Sequence, residues 1–329
     1  MSNVNQSCRF AILDCDGGSD DAWALLLLLH AEQAGRLKLL AVTVSGCGNT
    51  TCKNAARNMR RILKISSRVD VSITTVEPFI GNNVTDKKYF HGRDGFGDCL
   101  PENYFEEVSK FVQPNHAASA IRDLCVERPQ QVTIIMVGPL TNLALSYTMY
   151  GEQFGRNVKD IYIMGGNYLG RGNSTRSAEF NFHSDPEAAH AVLLKARCPI
   201  TILPWESCTK DYFNISINWR LDDFGQRTEV LNHLAIKMLT EIERAQWMPM
   251  QQFGFDTWNP CDALIVATWL FDKPFVKKDS FWHATVELNG TYTRGQMVLD
   301  HLKEEIKFPE NVRIIEMVDD VFFKHIVEW

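Results

Sequence analysis

The short apolar segment Arg9-Phe10-Ala11-Ile12-Leu13 runs directly into Asp14-Cys15-Asp16-Gly17-Gly18-Ser19-Asp20-Asp21, and an apolar stretch follows from Ala22. The first piece reads as a buried strand and the last as a buried helix. That β-loop-α opening limits the chain to α/β architectures, in which a mostly parallel sheet is covered by helices on both faces. It also places four carboxylates within eight residues at the carboxyl end of a strand, where open α/β sheets hold their ligands. Like charges that close raise one another's pKa values unless a cation or a hydrogen-bond network holds them. The helix macrodipole accounts for Asp20 and Asp21, but not for Asp14 and Asp16. A hard divalent cation is the economical explanation, because carboxylate oxygens are its preferred ligands.

The strand–helix rhythm continues for two hundred residues. Strands are predicted over 37–44, 69–75, 132–137, 160–164 and 199–203. Helices are predicted over 50–64, 115–127, from 141, and over 186–196, the last opened by Pro186 at a favoured first-turn position. A long glycine-containing loop is expected over 78–101. Beyond 211 the pattern turns mainly helical to 244, then aromatic and loop-like over 245–259, with a buried helix over 261–271. The stretches 281–288 and 296–299 read as a small antiparallel addition, and 312–318 as a late strand. No repeat or linker interrupts the chain, so one domain over 1–329 with helical insertions is expected.

Composition narrows the function classes. A net charge of −6 and the lack of a basic stripe argue against a nucleic-acid partner. Arg57, Arg60, Arg61 and Lys64 read as the solvated face of one helix. The apolar run before Asp14 is too short for a signal peptide, and nothing approaches the ~18 apolar residues of a membrane span. Nine dispersed cysteines without a CxxC pair favour reduced thiols and a cytoplasmic setting.

Polar residues recur just past predicted strand ends. They are Asp14 to Asp21, Asn49, Val137 before Gly138-Pro139, Met164-Gly165-Gly166-Asn167 with Asn173 beyond, Glu179-Phe180-Asn181, and Cys261-Asp262. Taken singly, Asn49 reads as a turn residue and Asp262 as a helix N-terminal residue. Taken together, the set resembles the nucleoside hydrolases, the inosine-uridine-preferring nucleoside N-ribohydrolase family. The most specific pieces are Leu13 to Ala22, Val137-Gly138-Pro139-Leu140-Thr141-Asn142-Leu143-Ala144, and Ala178-Glu179-Phe180-Asn181-Phe182-His183-Ser184-Asp185-Pro186-Glu187-Ala188-Ala189. Phe90-His91-Gly92-Arg93-Asp94-Gly95-Phe96-Gly97 and Thr293-Arg294-Gly295 match weaker signatures. The resemblance spans the chain from Ile12 to about Asp300.

The resemblance implies a Rossmann-like sheet, a tightly bound Ca²⁺ and hydrolysis of the N-glycosidic bond of ribonucleosides. Asp16, Asp21 and Asp262 would be metal ligands, with the backbone carbonyl of Val137 as a fourth oxygen, and Asp16 would double as general base on a metal-held water. Asp20, Asn49, Asn181 and Asp262 would grip the 2′- and 3′-hydroxyls, Asn173 and Glu179 the 5′-hydroxyl, and Met164 would pack under the ribose. Asp14 is expected to support the loop from behind. The chemistry is coherent in its own right, since carboxylates beside the sugar stabilise an oxocarbenium-like transition state. A homodimer or homotetramer is expected.

Two positions depart from the family pattern. Gly17 stands where proline is usual; glycine can adopt proline's φ, so little change is expected there. Cys261 stands where relatives carry histidine or tryptophan. A thiol is a poor neutral-pH acid, so a buried packing role is preferred. Candidates for the base pocket are His91, Trp247, Phe253, Phe255 and Trp258, with Trp205 and Tyr168 further away; aromatic rings stack well on a nucleobase. Two other readings compete. One is a nucleoside- or ribose-binding homologue without turnover. The other is a Mg²⁺-dependent aspartate-nucleophile phosphatase, which wants threonine or valine where Gly18 stands.

Overall fold

β1 (Arg9–Cys15) is buried on both sides: Ala11, Leu13 and Cys15 enter the apolar layer on one face and Ile12 the layer on the other. The computed structural model describes residues 8–76, 90–99, 107–303 and 307–328. After β1 come α1 (Ser19–Gln33), β2 (Leu37–Ser45), α2 (Cys52–Ile65), β3 (Ser72–Val76), α3 (Ala117–Glu127), β4 (Val132–Met136) and α4 (Thr141–Gly155). Next are β5 (Val158–Met164), α5 (Phe180–Ser184), α6 (Pro186–Lys195), β6 (Ile200–Leu203), α7 (Thr228–Asn232), α8 (Leu234–Gln251) and α9 (Cys261–Phe271). The chain closes with β7 (Val276–Trp282), β8 (Ala284–Val286), β9 (Met297–Leu299), β10 (Val312–Val318) and α10 (Asp320–Glu328). Most of the expected 78–101 loop lies outside the described residues.

Eight strands form one sheet in the order β3-β2-β1-β4-β5-β6-β10-β7, parallel except for β7, which runs antiparallel to β10 at the edge. The expected Rossmann-like sheet and small antiparallel addition are both present, the latter as β8 paired with β9. From β1 the chain first builds outward through β2 and β3, then returns to lay β4 on the other side of β1. The crevice past β1 and β4 is therefore a topological switch point, the place where such sheets bind ligands. One apolar layer takes side chains from α1, α2, α8 and α9, and the other from α3, α4, α6, β8 and β9. α9 is buried without a break from Cys261 to Trp269, and each of Leu264, Ile265 and Val266 contributes about 1.5–3 kcal/mol by leaving water.

Three expectations change. The 245–259 segment is not loop throughout: α8 continues to Gln251 because Trp247 packs into the core, and Pro249 forfeits a single helical hydrogen bond near the helix end. The 281–288 stretch divides at His283, with Phe281 and Trp282 paired to Arg313 and Val312 in the main sheet and Ala284 to Val286 paired to β9. The basic face of α2 is not simply solvated. Arg61 is buried and donates to Asn58 Oδ1 at 3.3 Å, and Arg60 lies over Phe111, since Phe111 and Met238 cover the side-chain stems. All nine cysteines are free thiols. Among the described residues no helix is long and apolar enough to cross a membrane.

Candidate active site

The loop after β1 is anchored from below by Asp14. Its backbone carbonyl accepts from Val137 N–H at 2.8 Å, tying the ends of β1 and β4 together. Its buried carboxylate accepts from Thr43 Oγ1 and, at 2.7 Å, from Asn142 Nδ2. Burial pushes the Asp14 pKa up to about 7. Asp14 is thus placed beneath the crevice rather than in it.

The loop itself corrects one expectation. Gly17 has φ +85°, a left-handed conformation that proline, held near −65°, cannot adopt. A Cβ at this position would also stand 2.4 Å from Ala55 Cα, so α2 packs directly on the glycine. The loop that carries Asp16 therefore follows a path that a proline at position 17 could not take. Immediately beyond it, Asp21 caps the start of α1 in the manner of a capping box, accepting from Gly18 N–H at 2.7 Å and from Asp16 N–H at 3.0 Å. Both Asp16 oxygens are held by Asn49, one by its backbone N–H and one by its side-chain amide, each at 2.8 Å. Gly48 makes that approach possible, because a Cβ there would overlap Asp16 Oδ2 at 1.8 Å.

Asp20, Asp21 and Asp262 each bring an oxygen within 4.8 Å of the others. The expected ligand set had Asp16 where this trio has Asp20. Asp21 and Asp262 belong to both. Burial and the neighbouring carboxylates push Asp21 and Asp262 well above the usual carboxylate range, and burial takes Asp20 to about 6. Asp16 is raised as well, chiefly by burial, with Asn49 opposing. Among the described residues Asp20 Oδ1 is buried without a hydrogen-bond partner. A carboxylate has about four acceptor positions, so Asp16 and Asp21 each keep some free after their hydrogen bonds. Clustered, mutually repelling oxygens with acceptor capacity left fit a hard divalent cation.

A cavity of about 520 Å³ opens above the trio. Its walls include Asp20, Asn49, Val137, Met164, Asn173, Glu179, Asn181 and Asp262, which brings together the residues expected at the sugar. Asn181 Nδ2 donates to the carbonyls of Val137 and Met164, at 3.2 and 3.1 Å. Glu179 caps α5, accepting from Asn181 and Phe182 N–H and also from Gly166 N–H, while burial pushes its pKa up to about 7. The lining also includes the aromatic residues Phe90, His91, Trp205, Trp247 and Phe255, together with Cys261. Three of the expected aromatics do not line the cavity. Phe253 is 71% exposed, and Trp258 is buried in the core, donating to Glu243 at 2.7 Å. Tyr168 is also absent from the wall. Cys261 is buried; the Cys208 thiol beside it and burial push its pKa well up. Lys210 and Asp256, paired at 2.6 Å on the rim, were not anticipated; nothing in their sequence surroundings marks them.

An acidic cluster lies at the switch point of a Rossmann-like sheet, beside a cavity lined by amide and aromatic side chains. The family model described as inosine-uridine preferring nucleoside hydrolase matches residues 11–325, and the chain belongs to this family. It is similar to the pyrimidine-specific ribonucleoside hydrolase RihA of Photobacterium profundum, 30% identical over 302 residues and 89% of each chain. Among solved structures it is similar to an inosine-guanosine nucleoside hydrolase (27% identity, TM-score 0.79, covering 98% of this chain and 99% of that one). It shares its fold with a plant nucleoside hydrolase, PpNRh1 (21% identity, TM-score 0.83, 97% of both chains). The chain is a ribonucleoside hydrolase by class, acting on the N-glycosidic bond.

Proposed function

We propose that the enzyme releases free base and ribose from ribonucleosides with Ca²⁺ at the carboxylate cluster, and that it selects its substrates chiefly through the sugar. The observation that carries this reading is the convergence of Asp20, Asp21 and Asp262 below a wall formed by Asn49, Met164, Asn173, Glu179 and Asn181. Asp16, Asp21, Asp262 and the Val137 carbonyl would hold the ion, with Asp20 at its edge. Bound there, the cation supplies Lewis acidity to a water and an anchor for a vicinal diol. Asp16 takes the proton of the attacking water as general base. Asp20, Asn49 and Asn181 hold the 2′- and 3′-hydroxyls, Asn173 and Glu179 hold the 5′-hydroxyl, and Met164 packs against the sugar ring. The carboxylates stabilise positive charge as it develops on the ribose. The base occupies the aromatic corner of Phe90, Trp247 and Phe255, with Cys261 as a packing residue.

The test is uridine against 2′-deoxyuridine, with inosine and 2′-deoxyinosine as a second pair. Loss of a hydroxyl leaves buried polar groups without partners, so kcat/KM should fall by about 10³-fold or more for the deoxy compound. Comparable values within both pairs would overturn the assigned roles of Asp20, Asn49 and Asn181. Failure to release base from any ribonucleoside in Ca²⁺ would overturn the reading as a whole.

A further inference from the structure

Asn173 reaches the cavity on the long loop between β5 and α5. Leu169, Arg171, Asn173, Ser174 and Arg176 of this loop are exposed, so its course depends on polar contacts rather than on apolar burial. Two fully buried side chains supply them. Asn167 Nδ2 donates to the carbonyls of Arg171 and Ser177, at 3.3 and 2.7 Å, and so draws the two limbs of the loop together. Its Oδ1 accepts from Met297 N–H at 3.1 Å.

The second side chain is Glu206, on the one-turn 3₁₀ helix Trp205–Cys208 that follows β6. Its carboxylate accepts from three backbone N–H groups of the loop: Tyr168 at 3.0 Å on one oxygen, and Leu169 at 2.8 Å and Arg171 at 3.1 Å on the other. A carboxylate out of water is costly unless it is hydrogen-bonded, and bonds to an ionised acceptor are stronger than neutral ones. All three of these bonds go to the residues leading up to Asn173. The turn that carries Glu206 is itself fixed. Trp205 N–H donates to the Gly166 carbonyl at 2.9 Å, and Thr209 Oγ1 donates to the Glu206 carbonyl at 2.6 Å. Trp205 and Thr209 line the cavity, whereas Glu206 lies behind it. Glu179, the other residue assigned to the 5′-hydroxyl, is held separately by its cap on α5 and by Gly166 N–H. A change at Glu206 therefore acts on Asn173 and leaves Glu179 in place.

We propose that Glu206 is a positioning residue, whose carboxylate fixes the 168–171 backbone so that Asn173 meets the 5′-hydroxyl of the ribonucleoside. The proposal rests on the ribonucleoside reading above and extends it from the residues that touch the sugar to one that places them. A 5′-deoxynucleoside separates this role from general support of the fold, because it lacks the hydroxyl that Asn173 is placed to meet. Misplacing Asn173 penalises uridine over 5′-deoxyuridine, whereas a poorly folded enzyme loses both alike.

The test compares the Ca²⁺-loaded wild type with Glu206→Ala, Glu206→Gln, Asn173→Ala and the Glu206→Ala/Asn173→Ala double variant. The readout is the ratio of kcat/KM for uridine to that for 5′-deoxyuridine. Glu206→Ala and Asn173→Ala should each lower this ratio by about tenfold, the weight of one hydrogen bond to a hydroxyl, and the double variant should lower it no further. Glu206→Gln keeps the volume and one acceptor oxygen but turns an amide N–H toward a loop N–H. It should lower the ratio about threefold, and it carries the comparison if Glu206→Ala does not fold. Hydrogen exchange over 168–177 gives a readout independent of turnover, and should quicken by about tenfold or more in the Glu206 variants while β1 and β4 stay protected. An unchanged ratio in the folded Glu206 variants, a further fall in the double variant, or unchanged exchange over 168–177 would overturn the proposal. If Asn173→Ala lowers the ratio and the Glu206 variants do not, the proposal falls alone. If Asn173→Ala leaves the ratio unchanged, its assignment to the 5′-hydroxyl and the proposal fall together. A wild type that releases uracil from neither substrate overturns the ribonucleoside reading and the proposal with it.

Discussion

Glu243→Ala should be among the most destabilising single substitutions in α8, and the structure sets the size of the effect. Glu243 and Arg220 form an ion pair at 2.6 Å with side chains 3% and 0% exposed. Glu243 Oε1 also accepts from the indoles of Trp23 and Trp258, at 3.0 and 2.7 Å, and Arg220 donates to Thr240 Oγ1 at 3.0 Å. Arg220 lies over the rings of both tryptophans, at 4.8 and 5.5 Å. Removing Glu243 leaves a buried guanidinium uncompensated and two indole N–H groups without an acceptor. Breaking a buried pair from one side costs about 3–5 kcal/mol. With an unfolding entropy of about 2.1 cal/mol/K per residue, a chain of 329 residues changes by about 0.7 kcal/mol for each degree, so Tm should fall by about 4–7 °C. Glu243→Gln keeps an acceptor and the volume, and should lose about half as much. The double replacement Arg220→Met/Glu243→Leu removes both charges and should recover most of the loss, since apolar substitutes for a whole buried pair are often neutral or better. Differential scanning calorimetry in saturating Ca²⁺ measures all three. A Glu243→Ala shift below about 2 °C, or a double variant no better than the single, would refute the argument that the pair is buried and mutually dependent.

Ca²⁺ should stabilise the protein by about 2.7 kcal/mol at one hundred times its dissociation constant, and thermal shift measured across pH tests the linkage. In the metal-free protein Asp14 and Glu179 are raised to about 7 and Asp20 to about 6. The folded state then keeps protons that the unfolded chain has released, so stability should fall as pH rises from about 4 to about 7. Ligand carboxylates must be ionised to bind the ion, so the Ca²⁺-induced shift should grow over the same window; a shift independent of pH would count against the cluster as the site. Gly17→Pro should abolish metal binding, and Gly17→Ala should cost about 2–4 kcal/mol from left-handed strain and overpacking against Ala55; a neutral Gly17→Pro variant would mean that the loop takes another path. Cys261→Ala and Cys261→Ser should change nucleoside turnover by less than about tenfold, and a loss of about 10²–10⁴-fold confined to natural nucleosides would identify the thiol as the proton donor instead.

The parts of the fold that could be read from the chain were those in which one local pattern decides the outcome. β4 is a run of apolar and β-branched residues because both its faces are covered, and α9 is apolar all round because it is buried on every side. Residues past strand ends could be assigned to one edge because parallel strands share a direction, and Asp20, Asn49, Val137, Met164, Glu179, Asn181 and Asp262 do meet there. What stayed hidden was decided across elements. Trp247 and Trp258 look alike in the chain, yet only Trp247 reaches the cavity, because Glu243 captures the Trp258 indole and holds it in the core. Residue spacing identifies a loop at Gly17 but not the sign of its φ, which is set by Ala55 on a different helix. The resemblance implies Asp16 as a ligand and Asp20 as a sugar contact, and what spacing does not show is that Asn49, contributed from beyond β2, holds both oxygens of Asp16. The polar residues of α8 carry the same lesson: Glu243 and Gln246 sit in an otherwise amphipathic pattern, and only the face of α1 opposite them shows that both are buried. Their partners, Trp23 and Ser19, flank the carboxylates of the first turn, so the packing of α8 on α1 fixes the wall of the cavity against the floor of the site.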